Sequence, residues 1–176
     1  MNLKSTFGVT VIELLITLTI VSILCATLPI ATSMIAQHRL NSSQSDLRLL
    51  IAKARNEALT LSTRVTVCAL SDDNHCNANW TGGISAFTDT NGNRIRDPED
   101  SLLNLIDMPS KVITAWQGMK PNNSIHFSSA GGTFVSNGTF TLCHPGLDES
   151  RQLIINRQGR TRSARLAQPC PVKAAF

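Results

Sequence analysis

From Val9 to Ala36 the chain is apolar apart from scattered hydroxyl residues, and its one formal charge there is Glu13. That run, VTVIELLITLTIVSILCATLPIATSMIA, exceeds the ~20 residues a helix needs to cross a bilayer. After Arg39 the pattern turns amphipathic. Leu40, Leu47, Leu50, Ile51, Ala54, Ala58 and Leu61 recur at three- and four-residue spacing, which puts them on one helical face, with Arg48, Lys53, Arg55 and Glu57 on the remainder. One helix of about fifty residues is predicted, membrane-spanning over 9–36 and amphipathic over 37–62.

From Arg64 the period shortens to two, and turn residues punctuate it. Strands are predicted at VTVCAL (65–70), GISAFT (83–88), SLLNLI (101–106), KVITAW (111–116), SIHFSS (124–129), TFTLCH (139–144), RQLIINR (151–157) and TRSARLA (161–167), separated by GG, NGN, PNN, NG and PG turns. Short strands beside one long helix predict an α+β fold, the helix packed on an antiparallel sheet formed by residues 63–176. No internal repeat interrupts this plan.

The N-terminus refines it. Residues 1–8, MNLKSTFG, are too short and too polar for a secretory h-region, and no A-x-A site follows the apolar run. Lys4 and the terminal amine precede the run, which orients that end to the cytoplasm and the β-rich part outward. A carboxylate at Glu13 costs about 2.5–3.5 kcal/mol at mid-bilayer and marks a specific partner. Pro29 removes a backbone hydrogen bond inside the helix and invites a kink or local melting.

The string FGVTVIELLI resembles the class III signal of type IV prepilins and pseudopilins. That likeness implies a leader, 1–8, cut after Gly8 by a prepilin peptidase, which then methylates the new amine of Val9. It also gives Glu13 a role in assembly, its carboxylate neutralising the Val9 amine of a neighbouring subunit in a filament. The family most often has phenylalanine after the scissile glycine; here it is Val9. Further on, WTGGISAFTDTNGNRIRDPEDSLL (80–103) resembles the segment of GspH/FimT-type minor pilins in which tryptophan and glycine lead a strand into an acidic, Asn/Gly-rich turn. The resemblance covers nearly the whole chain and implies a type IV pilin-like fold. It also implies a bacterial inner-membrane protein, inserted in lipid before assembly and crossing once, with its head (63–176) in the periplasm. From there it would pass to a pilus or the cell surface, with major and minor pilins as partners.

Cysteine usage fits export. Cys25 lies in the apolar run and reads as a packed free thiol, while Cys68, Cys76, Cys143 and Cys170 all fall in the β-rich part. Four cysteines allow three pairings in an oxidising compartment; sequence order favours Cys68–Cys76 and Cys143–Cys170. A rival zinc site would use Cys68, His75 or Cys76, and Cys143 or His144, but no CxxC pair is present and the spacing is irregular. A calcium register also exists, with Asp89, Asn91, Asn93, Asp97 and Asp100 at positions 1, 3, 5, 9 and 12. Arg94 stands where that loop needs glycine, and no flanking helices are predicted, so a turn rich in Asx capping is the expectation. No metal ligand and no cofactor is assigned.

Charge is the last feature to change the picture. The net charge of +4 hides an asymmetry: Val9–Glu149 holds nine basic against twelve acidic residues, whereas 150–176 holds six basic residues and no acid. Such a tail points to a polyanionic partner, and equally fits a solvated, Arg-rich hairpin. Within it GRTR, Gly159 to Arg162, resembles the GRxR element of FimT-type minor pilins, which are associated with binding DNA during natural transformation. Gly159 allows a tight turn, and Arg160 and Arg162, at i and i+2 of a strand edge, point the same way, with Arg157 and Arg165 widening the patch. Contacts to duplex DNA through phosphates are salt-sensitive and nearly sequence-independent. The alternative is a structural pseudopilin of a type II secretion or pilus-priming complex. An enzyme is not expected: the chain has no GxSxG, HExxH or P-loop, and no tyrosine.

Overall fold

The computed structural model describes residues 9–119, 123–133 and 135–170, with the side chains at 26–31 outside that set. The expected leader 1–8 with Gly8, and Lys173 of the tail, lie outside the described residues. Two compact units divide the chain, Met1–Ile35 and Ala36–Phe176. Helix α1, Val11–Thr60, is 50 residues long and contributes to both.

In the first unit the helix opens on a cap. The Glu13 N–H donates to Thr10 Oγ1 at 3.3 Å, which places Glu13 in the first turn, where free N–H groups favour a carboxylate. The hydroxyls of Thr17, Thr19 and Ser22 donate to the carbonyls of Leu14, Ile16 and Leu18 at 2.8–2.9 Å. Their polarity is thus spent on the helix's own backbone, a condition for apolar surroundings. The large side chains between them are exposed. Cys25 is unpaired and exposed rather than packed among the described residues. The helix assignment continues through Pro29, whose side chain is outside the described set. Among the described residues no helix is long and apolar enough to cross a membrane; the run predicted to span, 9–36, includes positions 26–31.

In the second unit the amphipathic stripe is the core. Leu40, Leu47, Leu50, Ile51, Ala54 and Ala58 are all buried, joined by Ser43. Leu61 departs from that pattern and is 49% exposed: the helix ends at Thr60, and Ser62, at φ 51°, turns the chain away through a left-handed residue.

The strands form two antiparallel sheets, where the sequence led to the expectation of one. In the first, β1 (Val65–Leu70) pairs along one edge with β3 (Gly83–Thr88), which in turn pairs with β4 (Leu102–Asp107). Its other edge is shared by β6 (Ile125–Phe127) and β2 (Cys76–Asn77). The second sheet runs β5 (Ile113–Gly118), β7 (Gly138–Cys143), β8 (Ser150–Ile155), β9 (Thr161–Leu166). The break falls at Pro109, which has no N–H to extend the β4 ladder and accepts the Val112 N–H in a turn, so β5 opens a new sheet. That turn also moves the start of β5 from the expected Lys111 to Ile113.

Aromatic rings join the sheets: Phe140 on β7 lies 5.1 Å from Trp80, in the loop before β3, and 4.5 Å from Trp116 on β5. Two disulfides close the unit. Cys68–Cys76 fastens β2 to β1, and Cys143–Cys170 ties the segment after β9 to β7.

Candidate nucleic-acid interface

The β8–β9 hairpin is built around Gly159. Its N–H donates to the Asn156 carbonyl at 2.9 Å, the Asn156 N–H donates to the Arg160 carbonyl at 3.1 Å, and Gly159 takes φ 73°. A turn followed by a left-handed residue is a favoured three-residue hairpin connection, and glycine adopts it without steric cost. The position is also crowded. A Cβ at 159 would lie 2.5 Å from the Gly131 carbonyl and 3.0 Å from Cδ of Arg55.

The turn is held from two sides. Arg55 Nε on the helix donates to the carbonyls of Gly131 at 3.0 Å and Gln158 at 3.2 Å. From the other side the Thr133 N–H donates to the Arg157 carbonyl at 2.9 Å and its hydroxyl to Asn156 at 2.8 Å. Arg55 is therefore a clamp, while Arg157, Arg160, Arg162 and Arg165 all remain exposed.

Register sorts those arginines. Leu153 and Ile155, both buried, sit opposite Ser163 and Thr161; Arg151 sits opposite Arg165. Residues directly opposite share a face, so Arg165 shares the inward face of Leu153 and Ile155, and Arg162, opposite Ile154, shares the other. Arg160 precedes β9 and belongs to the turn, its N–H bonded to Asn156 Oδ1 at 2.9 Å. The strand alternation expected to align Arg160 with Arg162 thus does not reach Arg160, and Arg165 does not widen the face that carries Arg162.

Arg151 leaves the basic patch altogether. It is 2% exposed and donates to Asn41 Oδ1 at 3.0 Å and to Glu149 Oε1 at 2.8 Å. This hydrogen bond, ahead of a smaller opposing effect of burial, holds the Glu149 carboxyl below its ordinary range, and the charges of Arg151 and Arg165 add to it. Among the described residues Arg151–Glu149 is the one ion pair, and none of the four exposed arginines bonds through its guanidinium.

Arg48 and Lys53 lie on the polar remainder of the helix and are not among the expected DNA-binding residues. In the structure they border two open grooves along β9. Arg48 faces Arg165 across about 360 Å³, and Lys53 faces Arg160 across about 600 Å³, with no acidic residue lining either. More than a hundred positions separate these partners, so no local pattern shows the pairing.

The other candidate sites resolve differently. The disulfides consume all three thiols of the rival zinc set, Cys68, Cys76 and Cys143. In the 89–100 turn, Asn91 Oδ1 accepts the Asn93 N–H at 3.1 Å and Asn93 Oδ1 the Ile95 N–H at 2.9 Å. Both amides donate to Asp97 Oδ2 at 2.9 Å, and Asp100 Oδ2 accepts the Asp97 N–H at 3.0 Å. Asn91 and Asn93 are thus engaged in Asx turns and Asp97 and Asp100 in bonds within the turn; Asp89 is buried, with one carboxylate oxygen bonded by the Thr66 hydroxyl at 2.6 Å. Nearby His126 is held below its ordinary pKa by burial first, with Arg64 and Arg94 reinforcing and Asp89 opposing. Val9 and Glu13 stand at the start of the helix, and nothing in the second unit touches on their role.

Comparison with known proteins accords with this architecture. The sequence profile of the type II transport protein GspH family matches residues 44–159. The chain is similar in structure to the type IV minor pilin FimU of Pseudomonas aeruginosa, with 22% identity and a TM-score of 0.54 over 71% of this chain and 92% of that one. It is similar also to EpsH, the minor pseudopilin of the type 2 secretion system of Vibrio cholerae, with 14% identity and a TM-score of 0.53 over 72% and 96%. No curated protein sequence matches. A profile that runs from the helix stripe at Gln44 through the first sheet and β5, β7 and β8 of the second to Gly159 decides the assignment: the chain belongs to the GspH family of type IV minor pilins and pseudopilins.

Proposed function

We propose that the chain is a minor type IV pilin, most like FimT, that joins a pilus and binds extracellular duplex DNA without sequence preference for uptake in natural transformation. The observation that carries this reading is the fixed hairpin tip. Arg55 and Thr133 hold the backbone of 156–160 while Arg157, Arg160 and Arg162 reach solvent with no acidic partner among the described residues. Cations on a rigid support lose little freedom on meeting phosphates, and no helix or aromatic side chain is interleaved among them to read bases. The processing and assembly readings accompany it: cleavage after Gly8, a methylated Val9, a single membrane crossing over 9–36, and Glu13 opposite a neighbour's amine.

Binding is expected in the 10⁻⁴ to 10⁻⁶ M range of non-specific contacts, roughly, with a log–log salt slope of about −2 to −4. The test is an electrophoretic shift series across salt on residues 36–176, the unit that holds the hydrophobic core of the described residues. The double variant Arg160→Gln, Arg162→Gln is expected to lose affinity and keep its fold, since exposed arginines contribute little to stability. A second reading, a structural pseudopilin without a nucleic-acid ligand, draws on Gly159, whose contacts are all internal. Absence of binding by the wild type at low salt would establish that reading; equal binding by wild type and variant would remove Arg160 and Arg162 from the contact.

A further inference from the structure

We infer that the phosphate track runs along the seam between α1 and β9, with Arg48 and Lys53 of the helix as phosphate contacts alongside Arg165 and Arg160. The inference rests on the proposed nucleic-acid reading and adds where the strand lies. The two grooves follow one another along the seam: Gln44 to Arg48 opposite Ser163 to Arg165, then Ala52 to Asn56 opposite Gly159 to Thr161. From Gln44 to Asn56 the helix advances about 18 Å at 1.5 Å per residue. A duplex strand carries a phosphate about every 3.4 Å along its axis, so a seam of that length is long enough for each of its four cations to meet a phosphate.

The first groove brings Arg48 of the helix beside Arg165, and the second brings Lys53, with the clamp Arg55, beside Arg160, so like charges collect where an anion would be favoured. No acid lines either groove. The carboxylate of Glu149 feels the charge of Arg165 but is already bonded to Arg151. Arg162 faces the other side of β9 and so contributes through general field rather than in the seam. A shape that is concave, cationic and bare of aromatic rings fits a phosphodiester backbone, not stacked bases.

The experiment measures fluorescence anisotropy of a labelled 20-base-pair duplex with residues 36–176 across salt. Arg48→Gln with Lys53→Gln is expected to lower the magnitude of the salt slope by about 1.8, at ~0.9 per lost phosphate contact. Arg48→Lys should restore its share. Ser45→Glu, which puts a carboxylate in the first groove, should weaken binding more than Leu102→Glu on β4, which adds the same charge to the other sheet. Wild-type slope in the Arg48/Lys53 variant, with binding still lost in Arg160→Gln, Arg162→Gln, would overturn the seam and leave the proposed function standing. Equal weakening by Ser45→Glu and Leu102→Glu would also overturn it, since net charge would then explain the effect. Absence of binding by the wild type at low salt would overturn both.

Discussion

At the scale of single residues, the GRTR string separates into two jobs. Gly159 serves the fold: a positive φ and a 2.5 Å approach to the Gly131 carbonyl leave no room for a methyl group. Gly159→Ala is therefore expected to destabilise the head by about 1–3 kcal/mol, read as a lower denaturant midpoint, and to weaken DNA binding by displacing the tip. Arg160→Gln should lower affinity with the midpoint unchanged; a Gly159→Ala protein as stable as wild type would contradict the packing argument. The need for a turn at 159 is legible from glycine alone. Its depth is not, because Arg55 and Gly131 reach it from distant segments. Arg151 makes the same point in reverse: as a residue type it counted toward the basic tail, yet Asn41, 110 positions away, helps to bury it.

At the scale of elements, apolar periodicity located α1 and every strand except β2, because a stripe or an alternation is a direct record of what faces the core. β2 escaped notice since two residues carry no period, and it exists where Cys76 is bonded beside β1. The division into two sheets was also hidden: pattern gives strands, and pairing depends on where Pro109 stops a ladder. The disulfides act at this scale. Cys143–Cys170 closes a separation of 27 residues and Cys68–Cys76 one of 8, so loop-closure entropy assigns about 3.5 and about 2.5 kcal/mol to them. Replacing each pair by serine and comparing urea midpoints tests the order; a greater loss from the shorter loop would show that fastening β2 outweighs chain entropy.

For the whole molecule, stability is expected to fall with acid. In the fold the pKa of His126 is lowered, first by burial and then by Arg64 and Arg94, so the unfolded chain takes up its proton first. Its contribution is complete above about pH 6.5 and is lost as pH falls from there through the lowered folded value. Glu149 adds a second loss at lower pH, since its carboxylate is the form that bonds Arg151; that contribution is present above the ordinary carboxylate range and disappears as pH falls through the depressed folded value. Urea midpoints across pH 4–8 should decline toward acid, and His126→Gln should flatten the upper part of the curve alone; an unchanged curve would remove His126 from the account.

The brevity of the helix–β9 seam sets a clock. If duplex DNA meets the four seam cations with a dissociation constant of ~10⁻⁵ M, as proposed, an association rate of about 10⁶ M⁻¹s⁻¹ implies release at roughly 10 per second. One head then lets go of a duplex within about a tenth of a second, too briefly to hold a strand against a pull. Several heads along the same duplex rebind before all have let go, and avidity gains of about 10²–10⁴ turn that interval into seconds or minutes. The spacing of copies along a filament, more than the strength of any one groove, would govern how long the DNA stays.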